Sequence, residues 1–171
     1  SMAITLNGLG VSAIGLNCSL GPKELLPIIG ELSKWTNLPL VVKPNAGLPD
    51  PITNTYDITP EEFASYVADM TNYGIRVVGG CCGTNPEYIK ATIKKLSTIH
   101  PNVEKKEIPS AVCSSSKTVV INQPRIIGER INPTGKKRFK EALKNNDLDY
   151  ILGQAIEQAQ GGAEILDVNV G

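Results

Sequence analysis

Three of the four cysteines, Cys18, Cys81 and Cys82, stand where short apolar runs end. Cys18 closes the run VSAIGLN at 11–17, and the pair Cys81-Cys82 follows IRVVGG at 75–80. Three protein thiolates with one replaceable position form the donor set of a working zinc site, whereas four fixed ligands mark a structural one. A metal deprotonates a thiol that coordinates it, so an exchangeable fourth position suits a substrate thiol that must act as a thiolate near neutral pH. Asn45, in PNAG at the end of another run, adds a weak oxygen donor. Neighbouring residues of a regular strand point to opposite faces, so Cys81 and Cys82 share one centre only where extended geometry breaks down. Gly79, Gly80 and Gly83 allow that. The same cysteines also admit simple packing, because unpaired cysteines are often buried and no CxxC pair anchors a site. Spacing alone leaves both readings open.

A second set of polar residues lies towards the C-terminus. Asp167 and Asn169 are two apart in EILDVNV and therefore face the same way, while Glu129 and Asn132 bracket the end of a run in GERINPTG. Carboxylate acceptors and amide donor-acceptors suit the alternating N–H and carbonyl edge of a neutral heterocycle. Taken singly, each also suits a turn or a helix cap. His100 closes a helical stretch and reads as a solvated residue at its C-terminal end, where a cation suits the helix dipole. Cys113 lies among serines and reads as an incidental surface thiol. GGCCG has neither the GxGxxG nor the GxxxxGK[ST] spacing of a phosphate loop.

The elements that must position these residues alternate between strand and helix. Strands are expected at 11–17, 38–43 and 75–80, with helices at 22–35, 59–74 and 84–96. Leu25, Ile28, Ile29, Leu32 and Trp35 form one buried stripe. Thr59 opens its helix with Pro60 at the first position, Glu62 completing a capping box, and Ile58 facing Phe63 as a hydrophobic staple. Between 97 and 123 the periodicity lapses into a linker composition. Beyond it, 125–131 and 164–170 read as strands around one or two helices at 136–160. The fold class expected is α/β, with parallel βα units joined by right-handed crossovers. Neither half closes, since a (β/α)8 barrel takes about 250 residues. The expectation is therefore two partial barrels: the C-terminal part of one at 1–96, a linker at 97–123, and the N-terminal part of the next at 124–171. Chemistry in such folds sits at the carboxyl ends of the strands, where the cysteines fall.

Composition narrows the function classes. The 171 residues carry 17 Lys+Arg against 17 Asp+Glu, and zero net charge removes the basic footprint of a nucleic-acid binder. A hydrophobic fraction of 41% supports a packed core. No run approaches the roughly 18 apolar residues of a membrane span, and SMAITLNGLG lacks a signal-peptide pattern. A cytoplasmic location with reduced thiols is expected, and no membrane partner.

GLNCSLGP at 15–22, VKPNAGLP at 42–49 and GGCCGTNPEYI at 79–89 resemble the last three strand ends of the homocysteine-binding barrel. IGERINPTGKKRFKEAL at 127–143 and AEILDVNVG at 163–171 resemble the opening of a pterin-binding barrel. Their succession resembles the cobalamin-dependent methionine synthase family, which moves a methyl group from 5-methyltetrahydrofolate via cobalamin to homocysteine.

The resemblance implies zinc held by Cys18, Cys81 and Cys82, with homocysteine sulfur in the fourth position and Asn45 as a ligand when substrate is absent. It also implies pterin contacts from Glu129, Asn132, Asp167 and Asn169, and a cobalamin-binding module outside this chain. Missing βα units would leave sheet edges open, so self-association and loss of turnover are expected of the isolated chain. Two alternatives are a zinc-dependent homocysteine methyltransferase with another methyl donor, and a non-catalytic zinc or redox module.

Overall fold

The computed structural model describes residues 1–53, 55–100 and 105–170. It divides into two compact units, one spanning Met2–Ile108 and the other beginning at Pro109.

The first unit opens with α1 (Met2–Gly8), a short helix that the sequence pattern does not announce. Three βα pairs follow: β1 (Ile14–Asn17) and α2 (Pro22–Leu32), β2 (Leu40–Lys43) and α3 (Pro60–Met70), β3 (Ile75–Val78) and α4 (Pro86–Leu96). The strands pair in parallel in the order β1-β2-β3, with Ile14 opposite Leu40 and Leu40 opposite Ile75. Strand alternation then sorts the side chains. Ile14, Leu40, Val42 and Ile75 enter one core with Leu25, Ile29, Leu32, Phe63, Val67 and Met70 from the helices. Gly15, Asn17 and Lys43 occupy the other face and are exposed, joined by Val77, which a register shift after the Leu40–Ile75 pair sets opposite Val41. Ile28 of the expected α2 stripe is 41% exposed, because the buried stripe runs through Leu25, Ile29 and Leu32 and Ile28 lies beside it.

Local signals explain why the helices start where they do. Pro occupies the first turn of α2, α3 and α4, where its missing N–H costs nothing. Asn85 caps α4 by accepting from Glu87 N–H at 2.9 Å. Thr59 caps α3 in a complete capping box: Glu62 N–H donates to Thr59 Oγ1, and Thr59 N–H donates to Glu62 Oε2 at 3.0 Å. Those bonds from Thr59, backbone first and hydroxyl second, hold the Glu62 carboxyl below its ordinary range. A lowered folded-state value adds stability that is present above the unfolded value of about 4.3 and is lost as pH falls through the folded one. Thr59→Ala is therefore expected to lower the melting temperature at pH 7 by about 5 °C and by less at pH 3, read by thermal melts across that range.

The second unit begins inside the stretch whose composition reads as linker. There β4 (Ala111–Cys113) and β5 (Thr118–Val120) pair as an antiparallel hairpin around SSSK. Three-residue strands are too short to show a period, which is why the hairpin is hidden in the sequence. Positions 101–104 of that stretch and Gly171 lie outside the described residues. β6 (Ile127–Ile131) and β7 (Ile165–Val168) are parallel, with α5 (Lys137–Lys144) and α6 (Leu148–Gln160) between them in sequence. The helical stretch at 136–160 is thus two helices, broken at Asn146, whose φ is 52°. Asp147 caps the second by accepting from Tyr150 N–H at 3.1 Å. Gly128 is required by close packing: a Cβ there would lie 2.7 Å from Gln158 Oε1, which accepts from Arg130 N–H.

Candidate metal centre

All three thiols of the first unit converge at the carboxyl ends of β1 and β3. Cys18 follows β1 directly, and Cys81-Cys82 follow β3 after Gly79 and Gly80. The Cys18 and Cys82 sulfurs are 3.6 Å apart and those of Cys81 and Cys82 3.9 Å apart, with all three within 4.8 Å of one another. Zn–S bonds of about 2.3 Å in tetrahedral directions place sulfurs roughly 3.8 Å apart, a spacing that the two distances from Cys82 match. Among the described residues this is the one group of three or more Cys, His, Asp or Glu with metal-binding spacing.

The loop after β2 acts as the template between the two cysteine segments. Lys43 carbonyl accepts from Cys18 N–H at 3.0 Å, and Pro44 carbonyl accepts from Cys81 N–H at 2.8 Å. Asn45 N–H donates to Leu20 carbonyl at 3.0 Å, and Ala46 N–H donates to Cys82 carbonyl at 2.9 Å. Asn45, 4% exposed, also accepts from Cys82 N–H through Oδ1 at 3.2 Å. An amide oxygen has two lone pairs, so the bond to Cys82 leaves one for another partner. The two cysteine segments are therefore aligned through β2, not by contact with each other alone.

Backbone strain marks the same place. Cys18 and Ser19 have φ of 65° and 64°, consecutive left-handed residues that are not glycine. Such residues cost on the order of 1 kcal/mol or more each and persist where the surroundings hold them. The turn aims the Cys18 sulfur at its partners and places Ser19 N–H as a donor to it. That bond, followed by those from Cys81 and Cys82, pulls the Cys18 thiol down from its ordinary range. The Cys81 thiol is pushed up, first by its hydrogen bond with Cys18 and then by burial.

Tyr56 is a neighbour that the sequence reading missed. It lies in the loop between β2 and α3, where no periodicity singles it out; its one signal is being an aromatic in a Pro- and Asn-rich segment. Burial first, then the charge of Cys82 and a hydrogen bond to it, push its phenol up.

Cys113 sits half-buried in β4 of the other unit, and His100 is exposed beyond the end of α4. A basic hollow at the amino ends of β2 and β3 holds Arg76, Lys105 and Lys106. In its lining, Asn37 bonds both backbone groups of Lys106, at 2.8 and 3.0 Å.

In the second unit, Glu129 and Asp167 follow the paired residues Gly128 and Leu166, and Asn132 and Asn169 follow the paired residues Ile131 and Val168. The four are thereby neighbours across the carboxyl ends of two strands. Glu129 and Asp167 are exposed, Lys136 approaches Glu129 at 3.7 Å, and Asn132 Oδ1 accepts from Thr134 N–H at 2.9 Å.

Residues 1–96 match the family model for homocysteine S-methyltransferase. The chain belongs to the homocysteine S-methyltransferase family. It is also 36% identical over 173 residues to a methionine synthase of Mycobacterium leprae, and 35% identical over 168 residues to one of Mycobacterium tuberculosis. Each alignment takes in 95% of this chain and 14% of the relative, so the chain spans about one seventh of the length of these proteins and the likeness extends through the second unit. No helix among the described residues is long and apolar enough to cross a membrane.

Proposed function

We propose that the first unit is the zinc- and homocysteine-binding end of a methyltransferase that forms methionine, and that the second begins its folate-binding part. The carrying observation is the cluster of three sulfurs at tetrahedral spacing, in a family whose acceptor is a thiol. In this reading 1–96 completes one (β/α)8 barrel, 97–123 joins it to the next, and 124–171 opens that one. The sheet β1-β2-β3 supports it: helices cover one face, and the uncovered face carries Gly15, Asn17, Lys43 and Val77 where a barrel interior would lie.

Cys18, Cys81 and Cys82 hold the ion, and zinc bound there would keep a substrate thiol deprotonated and nucleophilic at neutral pH. The chain's own groups do the rest. Ser19 N–H and Asn45 stabilise negative charge on the Cys18 sulfur, the loop at 43–46 fixes the relative position of the three thiolates, and the homocysteine sulfur takes the open position. Glu129, Asn132, Asp167 and Asn169 hold the pterin of 5-methyltetrahydrofolate in the second part, and cobalamin, held by another module, would supply the methyl carrier between the two.

Homocysteine added to the cobalt(II)-loaded chain is expected to intensify the sulfur-to-cobalt charge-transfer absorption, as a fourth sulfur joins three. Methionine, whose sulfur is already methylated, is expected to leave the spectrum nearly unchanged. A cobalt-loaded chain whose spectrum ignores homocysteine would overturn the assignment of substrate to this centre.

A further inference from the structure

The amino ends of β2 and β3 carry a hollow that the metal centre does not use. Its volume is about 210 Å³, and Arg76, Lys105 and Lys106 line it together with Ser33 and Asn37. No Asp or Glu is among the lining residues, and none of the three cations forms an ion pair with a described residue. Like charges gathered without a counter-charge repel one another, and a surface shaped only for solubility intersperses both signs.

Three separate features bring these cations together. β2 and β3 pair Leu40 with Ile75 and then Val41 with Val77, which leaves Arg76 as the extra residue of a register shift. A bulge of this kind releases a side chain from strand alternation and re-aims it. Asn37 pins the segment beyond α4 at the hollow: its Nδ2 donates to Lys106 carbonyl at 2.8 Å, and its Oδ1 accepts from Lys106 N–H at 3.0 Å. Lys106 Nζ in turn donates to Ser33 Oγ at 3.4 Å, and Ser33, 4% exposed, has committed its own proton to Gly30 carbonyl at 2.9 Å. An ammonium has three donors, so two remain on Lys106, and the Arg76 guanidinium bonds no described residue.

We propose that this hollow is a binding site for phosphate, as the free ion or as the head of a small phosphomonoester. A planar guanidinium fork beside two ammonium groups matches a compact dianion with several acceptor oxygens. Sites that engulf a larger ligand run to about 300–1,000 Å³, so this one takes the charged head and leaves the rest of an ester outside. It lies at the opposite ends of the strands from the three thiols, so its ligand is no reactant in methyl transfer. An anion there bridges β3 and the segment beyond α4, and a ligand held only by the folded unit stabilises it.

The test titrates the chain with inorganic phosphate and, in a second arm, with methyl phosphate, both at an ionic strength fixed with chloride, by calorimetry and thermal melts. The expected result is one anion per chain and a melting temperature that rises with phosphate but not with chloride. Arg76→Gln and Lys106→Gln are each expected to weaken binding about 10-fold or more, as a hydrogen bond to a charged group is lost. Lys106→Gln should melt as the wild type does without phosphate, because Asn37 holds the backbone at 106 and not the side chain. Asn37→Ala keeps all three charges but frees the segment, and is expected to weaken binding severalfold. Lys94→Gln, at an exposed position in the last turn of α4, should bind as the wild type does. Tighter binding of methyl phosphate would name the ester as the ligand, and tighter binding of phosphate the free ion. No saturable binding of either, full affinity in Lys106→Gln, or an equal loss in Lys94→Gln would overturn the proposal, since the last is net charge and not a site.

Discussion

Serine in place of Cys82 is expected to abolish stoichiometric zinc uptake by the chain, whereas serine in place of Cys113 is expected to leave one zinc per chain. Cys82 is the shared neighbour in the cluster, 3.6 Å from one sulfur and 3.9 Å from the other, so its loss leaves two thiolates in place of three. A neutral hydroxyl is a poor substitute for a soft thiolate at zinc. Changing an outer partner of a metal typically costs about 10- to 100-fold in affinity, and removing a ligand should exceed the upper figure. Cys113 belongs to β4 of the other unit, outside the three-cysteine group. Metal analysis after gel filtration reads both variants. Because each thiol must lose a proton to bind, uptake by the wild-type chain should fall as pH is lowered. Zinc retained at full stoichiometry by Cys82→Ser, or lost from Cys113→Ser, would sink the assignment.

The parts of this arrangement that were legible in the sequence are those encoded by short-range chemistry. Thr59, Pro60 and Glu62 announce a helix start in four residues, and the structure builds the capping box they spell. Apolar runs ending at Cys18 and before Cys81 announce buried parallel strands, and glycines at 79, 80 and 83 announce a break in extended geometry. What the sequence withheld depends on contacts across distance. Ile28 is spaced for the α2 stripe but falls off its edge, since the covered width of a helix is set by what packs on it. The β4-β5 hairpin is too brief for periodicity, and α1 is a short helix with one buried residue. Tyr56 sets its ring against Gly83 from a loop with no regular pattern, so only the folded arrangement reveals the pair. The thiols themselves were visible as a set. Their common centre was not, because it depends on a β2 loop that bonds both segments.

That dependence makes Asn45→Ala the most damaging change expected outside the thiols themselves. Asn45 is 4% exposed, its backbone N–H donates to Leu20 carbonyl beside Cys18, and its side chain accepts from Cys82 N–H. Alanine leaves the Cys82 N–H without its acceptor in a half-enclosed site, which costs about 1–3 kcal/mol, and adds a small cavity. Over a unit of this size, the melting temperature of the metal-free chain should fall by on the order of 10 °C. Zinc affinity should fall as well, since the two cysteine segments lose a shared alignment. Asn45→Asp keeps the acceptor while changing the charge: its carboxylate still accepts from Cys82 N–H, and it adds negative charge beside the thiols. The aspartate variant should therefore melt above the alanine variant without metal, and still bind zinc less tightly than the wild type. The resemblance to known sequences suggests Asn45 as a metal ligand when substrate is absent, and a residue serving only in that way would leave the metal-free chain indifferent to its removal. Unchanged melting of metal-free Asn45→Ala would show that the β2 loop does not hold the cysteine segments in place, and that the thiols are aligned by the strands alone.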